Sequence, residues 1–408
     1  MRRSVTAVVT LLVLMSGAGA ASGSVGAAST TPGVTKDEIH LGITYVDLSK
    51  LGQVVNIDFG DWRKIYTSVV TDLDARGGIN GRKVVATYAP VEPVGTVPAQ
   101  EACVKLTEDD HVFAVTGFFL LDAPLCYVEQ HDTPVVNGTI TTAGLARAKA
   151  PWFSLEPGDQ SNAQAIDAFA ADGAFKGGKL GIIVDVQTQS TYDDVVKPAL
   201  ARNRVEGTVA NITATTGDAV ATEQQAGVIA ERFHSQGINK VLMVGTSTLQ
   251  FANALAKTDY RPRLIVLNIA NLRAFVQNPG SALDVAKTAI GAAPKVNFNE
   301  PTLQKCFKVI TKATGYDIKE TVTAGQPDYV DSAEIACGSI GLFSAIARAA
   351  GKNLTVESFG TAPEKGPLQV PGSGTITYDT KTKSFVQPVY IWRYDPRTQS
   401  VVADKKPA

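Results

Sequence analysis

Short apolar runs alternate with amphipathic stretches of helical length along most of this chain, which restricts it to parallel sheets built from strand-helix-strand units. Candidate strands lie at 38–45, 83–89, 112–116, 133–137, 179–185, 240–244 and 264–267, with helices between them. After Asn299 the rhythm changes to two helices, 301–314 and 329–350, and then to a tail, 372–394, that alternates like an antiparallel pair. No internal repeat interrupts this order. Two sheets with a late return of the chain to the first lobe fit the count better than one very wide sheet.

The run DLDARGGINGRKVV at 72–85 joins a long amphipathic helix to a strand through a turn that only glycines allow. Gly77 and Gly78 can take the positive φ that ends a helix, and Asn80 with Gly81 supplies a tight turn. Arg82 to Thr87 then alternates like a half-buried strand.

The N-terminus reads as an export address: Arg2 and Arg3, an apolar run over 5–15, then the small residues Ala18, Gly19 and Ala20. A signal peptide at 1–20 and a flexible spacer at 21–35 are expected. No later stretch offers the roughly 18 uninterrupted apolar residues of a membrane span. No cysteine follows the apolar run to carry a lipid anchor, so the mature chain is expected to be secreted or periplasmic, and monomeric. Roughly 380 residues then remain, more than one compact core usually holds, which favours two domains.

Charge is balanced, 38 basic against 39 acidic residues, and no basic run is interleaved with aromatics, which excludes a nucleic-acid partner. Cys103, Cys126, Cys306 and Cys337 form an even set without metal-ligand spacing, so two structural disulfides are expected and no metal site. Cys103 and Cys126 flank the strand 112–116 on helices that can share a sheet face, which favours that pair. Cys306 and Cys337 sit on two later helices that should also pack together, although four cysteines permit three pairings.

Several further segments stand in a telling order: GVTKDEIHLG at 33–42, GGINGRKV at 77–84, FAVTG at 113–117, TPVVNG at 133–138, FSLEPGDQ at 153–160, YVDSAEIACGSIGLFSAIARAAG at 329–351 and GTITYD at 374–379. In order and spacing the chain resembles the leucine/isoleucine/valine-binding family of type 1 periplasmic binding proteins, from Val34 to about Tyr394. The resemblance implies an α/β, two-lobed fold with parallel sheets flanked by helices and a three-strand hinge. Lobe 1 would comprise 36–155 plus 297–359, and lobe 2 the segments 156–296 and 360–408. It also implies a protein without cofactor or catalytic residues, closing on a small-molecule ligand and presenting it to an ABC permease.

Ligands of open α/β sheets bind at the carboxyl ends of strands. There fall Asp58 and Phe59; Phe118, Phe119 and Leu120; Thr139, Thr141 and Thr142; Tyr192; Thr246; and Asn268 with Asn271. Adjacent residues leaving a strand point opposite ways, so one of Phe118 and Phe119 is expected in the core. Relatives offer a serine hydroxyl to the ligand carboxylate where this chain has Phe118 to Leu121, while Thr141 falls at their carboxylate-binding threonine. Their acidic partner for an ammonium falls within LNIANLRAF at 267–275, which holds no Asp or Glu. Removing one partner of a buried ion pair costs about 3 to 5 kcal/mol, a large share of the about 8 kcal/mol of a micromolar affinity. The expected ligand is therefore neutral or carboxylate-bearing with apolar area, and not a plain α-amino acid, unless Asp58 or Asp122 restores the ammonium site. An enzyme has little support, since there is no G-x-S-x-G, H-E-x-x-H or phosphate loop. A ligand-sensing module for a membrane receptor is the alternative that sequence within the domain does not separate from transport.

Overall fold

A computed structural model describes residues 31–49, 58–93, 95–120, 122–156, 158–214, 218–267, 269–277, 282–323 and 326–408; the expected signal peptide and most of the spacer lie outside them. Two sheets organise these residues. The first contains β1 (Glu38–Val46), β2 (Lys83–Val91), β3 (Ala114–Gly117), β4 (Val135–Val136) and β5 (Trp152–Phe153), in the order β2-β1-β3-β4-β5 and parallel throughout. The second contains β6 (Lys179–Asp185), β7 (Thr208–Ile212), β8 (Ile238–Val244), β9 (Arg263–Val266) and β10 (Ile290–Pro294). Two short hairpins follow, β11 (Leu368–Val370) with β12 (Gly374–Ile376) and β13 (Tyr378–Asp379) with β14 (Ser384–Phe385). Then β15 (Val389–Asp395) and β16 (Ser400–Ala403) complete the second sheet, whose order is β16-β15-β10-β9-β8-β6-β7.

Helices cover both faces of each sheet, so the parallel strands are buried on both sides, as their near-continuous apolar runs require. Ile39, Leu41 and Ile43 of β1 pack with Ile65, Tyr66 and Leu73 of the helix Trp62–Ala75 and with the helices Pro301–Thr314 and Tyr329–Ala350. The chain thus returns to the first sheet after β10 and leaves it again before β15. With the passage after β5, it crosses between the sheets three times.

The glycine turn forms as its residue types dictate. Asp61 caps the helix Trp62–Ala75 by accepting from the Lys64 amide at 2.9 Å. At the other end the Gly78 amide donates to Leu73, at φ 64°, where a Cβ would stand 1.9 Å from the Arg82 carbonyl oxygen. Asn80 and Arg82 reach beyond the turn to the carbonyls of Ala347 (3.2 Å) and Lys352 (2.8 Å), tying the motif to the end of the helix Tyr329–Ala350.

Three strands were not legible in the pattern. β5 has two residues, β7 is an edge strand with Thr208 and Val209 exposed, and β10 reads IGAAP, too short and small to stand out. The tail forms three antiparallel pairs, not one, and β15 also pairs antiparallel with β10.

Both disulfides form, Cys103 with Cys126 and Cys306 with Cys337, across 23 and 31 residues of chain. By the loop-entropy argument each restrains the unfolded chain by about 3 to 4 kcal/mol. Replacing Cys306 and Cys337 together by serine is expected to lower denaturant-derived stability by that amount. A change below about 1 kcal/mol would show that the bridge contributes nothing through the unfolded state.

Candidate functional site

The carboxyl ends of β1, β3, β4 and β5 lie along one edge of the first sheet, and their turns are fixed by hydrogen bonds specific to these residues. At β3, Gly117 has φ 119° and lies against Thr44, whose hydroxyl donates to the Phe118 carbonyl at 2.6 Å. Phe118, Phe119 and Leu120 leave this turn half-buried. Phe118 touches the cores on both faces of the sheet, whereas Phe119 packs edge-on against Tyr127, 5.9 Å between centroids, and beside Gly138. The turns after β3 and β4 therefore meet.

Asn137, at the end of β4, is buried and donates to the Gly117 carbonyl at 3.3 Å. Thr139 is exposed, and Thr141 is half-buried with its hydroxyl accepting from the Gly144 amide at 2.9 Å. Thr141 is thus the N-cap of the helix Thr142–Arg147. Thr141→Val is expected to cost about 1 kcal/mol of stability for the lost cap. If Thr141 also meets ligand, affinity falls beyond what that stability change explains; unchanged affinity in calorimetry removes it from the site.

Asp159 links this edge to the second sheet. One carboxylate oxygen accepts from the Thr142 amide at 2.6 Å and the other from the Thr191 hydroxyl at 3.4 Å. Neighbouring Tyr192 is 7% exposed and packs with the core that includes Val196 and Ala199.

On the second sheet, Asp185 ends β6 and is itself buried. It accepts from the Thr246 amide (2.6 Å) and hydroxyl (3.3 Å), and from the Ser247 amide (3.0 Å) and hydroxyl (2.5 Å). Asn271, half-buried, donates to the Gly245 carbonyl at 3.0 Å, and Thr246 is exposed. Asn268 lies outside the described residues.

Phe59 is half-buried, its ring 5.9 Å from Trp62 and its carbonyl accepting from the Ser332 hydroxyl at 2.7 Å. Beside it Tyr316 and Tyr329 stack with centroids 4.1 Å apart. Tyr316 Oη accepts from the Asp61 amide at 2.8 Å, and Tyr329 Oη donates to Asp58 at 3.4 Å. The loop after β1 is thereby joined to the start of the helix Tyr329–Ala350.

Three carboxyl groups between the sheets are perturbed. Burial pushes Glu156, in the crossover after β5, up to about 7; the Gly138 amide opposes this and Asp331 adds to it. Burial likewise pushes Asp331 up to about 6 and Glu334 up to about 8; acidic neighbours add to both and Arg273 opposes. Arg273, on the helix Ile269–Gln277, stands 3.9 Å from Asp331 and over the Trp392 ring at 5.1 Å. Sequence reasoning passed over these residues. The signal was present in Asp331 and Glu334, two acids in the first turns of an otherwise apolar helix, but a helix N-terminus favours acids anyway.

The fold is shared with solved structures. A fatty acid ABC transporter substrate-binding protein from Thermomonospora curvata has a TM-score of 0.67 at 18% identity, covering 93% of this chain and 94% of that one. An ABC transporter solute-binding protein from Rhodopseudomonas palustris HaA2, in complex with p-hydroxybenzoic acid, gives 0.67 at 14% identity over 91% and 96%. A substrate-binding protein from Desulfitobacterium hafniense in complex with Leu gives 0.62 at 13% over 90% and 100%. At such identities the likeness is one of fold. A search among curated proteins found no match. The family profile described as periplasmic binding protein matches residues 60–400. That is most of the chain, which therefore belongs to the periplasmic binding protein family, in its type 1, leucine/isoleucine/valine-binding-like branch.

Proposed function

We propose that the chain is the extracytoplasmic solute-binding component of an ABC transporter, capturing a small molecule between its lobes by hinge closure and handing it to a membrane permease. Family membership supports the binding role, and the transporter proteins among the solved relatives support the coupling. The expected boundary at 359/360 is moved: Leu368, Val370, Ile376 and Phe385 pack in the first sheet's core, so the lobes are taken as 36–155 with 297–386 and 156–296 with 387–408, and the three crossings supply the hinge. Ligand stabilises the closed arrangement only through contacts it makes better there. The mechanism needs no covalent step. The four histidines lie on separate elements: His40 beside Glu38 (3.4 Å), His111 against the Thr107 carbonyl (3.1 Å), His131 near Glu108 (3.8 Å) and His234 stacked on Tyr260 (5.1 Å).

The ligand is a neutral or carboxylate-bearing compound with substantial apolar area, and not a plain α-amino acid. One observation carries this. Asp185, the acid at the second sheet's described strand ends, is fully engaged by Thr246 and Ser247, and the helix after β9 brings Arg273 and no acid. At these strand ends of the second sheet no carboxylate is left over for an ammonium group; Asp331 and Glu334, across from Arg273, belong to the helix Tyr329–Ala350 of the other side. Half-buried Phe118, Phe119 and Leu120 offer apolar area. The fatty acid and p-hydroxybenzoic acid of the relatives fit this class, and the Leu complex represents the competing one.

A thermal-shift screen against aromatic acids, fatty acids, neutral amides and leucine tests the reading. Ligand at 100 times its dissociation constant adds about 2.7 kcal/mol to stability. A shift with an aromatic or fatty acid and none with leucine is the expected result. A shift with leucine overturns the ligand class, and silence across the panel counts against the small-solute role.

A further inference from the structure

At the end of the second sheet opposite the candidate turns, a row of cations crosses the strands. Lys240 stands near the start of β8 and Arg263 begins β9, and the two are register partners on neighbouring parallel strands. Strand alternation puts both on the face where Leu242, Val244, Ile265 and Leu267 pack. Arg393 of β15, opposite Ile290 of β10, lies on that face as well. Their counter-ions are unevenly shared. Arg393 donates to Asp172 and has Asp404 at 3.5 Å. Lys240, only 7% exposed, donates to the Lys176 main-chain carbonyl, and half-buried Arg263 spends Nε on the Thr288 carbonyl at 3.2 Å. Among the described residues neither is paired with a carboxylate and the Nη groups of Arg263 hold no acceptor. No Asp or Glu of the chain falls outside the described residues.

We propose that this row is a binding site for a phosphate-type oxyanion, held on the Arg263 fork with Lys240 behind it. The site lies at the far ends of the strands from the turns assigned to the solute and does not depend on the solute's identity. Lysine is seldom buried without an ion partner, and like charges set side by side repel. The strain is visible in both groups. Burial first, then Arg263, holds the Lys240 ammonium below its ordinary range, and burial, then Arg393, lowers Arg263 against the pull of Asp172. Exposed Lys176 and Lys179 add positive charge at the rim, Lys179 standing next to Leu180, the register partner of Lys240 on β6. An oxyanion relieves this surplus. The guanidinium presents paired N–H donors that match two phosphate oxygens, and a poorly solvated ammonium attracts an anion more strongly than one at an open surface. Chloride cannot take the two parallel bonds. Inorganic phosphate and the phosphate of an anionic lipid headgroup both carry the chemistry that fits.

Equilibrium dialysis of the mature protein against radiolabelled inorganic phosphate at constant ionic strength tests the site, with circular dichroism confirming that each variant is folded. One phosphate per chain is expected, displaced by sulfate and not by chloride at the same concentration. Lys240→Met and Arg263→Gln are each expected to weaken binding at least about tenfold, the scale of one charge-assisted hydrogen bond. Lys319→Gln removes the same charge from an exposed lysine beside Asp317 and is expected to leave binding unchanged. Should Arg263→Gln fail to fold, Lys240→Met, which keeps an apolar stem in the sheet, decides alone. Flotation with vesicles of phosphatidylcholine, or of equal parts phosphatidylcholine and phosphatidylglycerol, separates the two sources. Phosphate bound in dialysis without flotation assigns the site to the free oxyanion, and flotation on the anionic vesicles that Lys240→Met abolishes assigns it to a lipid headgroup. Neither phosphate binding nor flotation overturns the proposal, and so does binding that Lys240→Met leaves unchanged or that Lys319→Gln weakens equally.

Discussion

Replacing Asp185 by alanine is expected to cost about 3 kcal/mol of folding stability, because the carboxylate satisfies the two donors of buried Ser247 as well as two from Thr246. Its oxygens accept from the amides and hydroxyls of both Thr246 and Ser247. Alanine removes all four bonds and leaves the Ser247 groups unsatisfied in a site where Ser247 is itself buried. Asparagine is expected to cost less than alanine, since its Oδ1 can take the Thr246 and Ser247 amides and the Thr246 hydroxyl while its Nδ2 donates to the Ser247 hydroxyl oxygen. The effect extends to the site, for the Gly245–Ser247 turn also positions Asn271 through the Gly245 carbonyl. Urea unfolding at unchanged m-value is the measurement. A loss of less than about 1 kcal/mol would mean the turn keeps its shape without the carboxylate, and Asp185 would then be free to serve ligand instead.

The second large effect is expected at Gly117. Alanine there meets the Thr44 carbonyl oxygen at 1.9 Å, with a backbone φ of 119° that side chains rarely adopt. Relief requires β1 and β3 to separate at the ends that hold the Phe118 turn, which disrupts the Thr44 hydroxyl bond to Phe118 and the Asn137 bond to Gly117. A loss of about 3 kcal/mol or more is expected. Ligand affinity should fall with it. A variant of native stability would show that the turn can adopt another backbone path.

What could be read from the sequence is what local chemistry specifies. β1, β6 and β8 announce themselves as apolar runs, and the 77–84 turn needs glycine at positive φ and Asn80 in a left-handed position, which the residue types state outright. The Cys103–Cys126 pair followed from two helices flanking one strand. The candidate turns were locatable because strand ends are, but the task of each side chain was not. Thr141 spends its hydroxyl on a local cap three residues on, where a ligand role was expected, and Tyr192 is packed in a core by neighbours tens of residues away. Likewise the Arg273–Asp331 approach and the Asp159 bridge join segments that no periodicity relates. β7 and β10 were missed because an exposed edge and a run of small residues carry no strong period.

The central claim is that a small molecule closes this protein about its three crossings. The most direct test is small-angle scattering of the mature protein at fixed pH, with and without a saturating solute identified by the thermal screen. A fall in the radius of gyration on binding, with unchanged molecular mass, is the predicted result. A solute that binds tightly and leaves the radius unchanged would contradict hinge closure and make this a receptor that holds its ligand without moving.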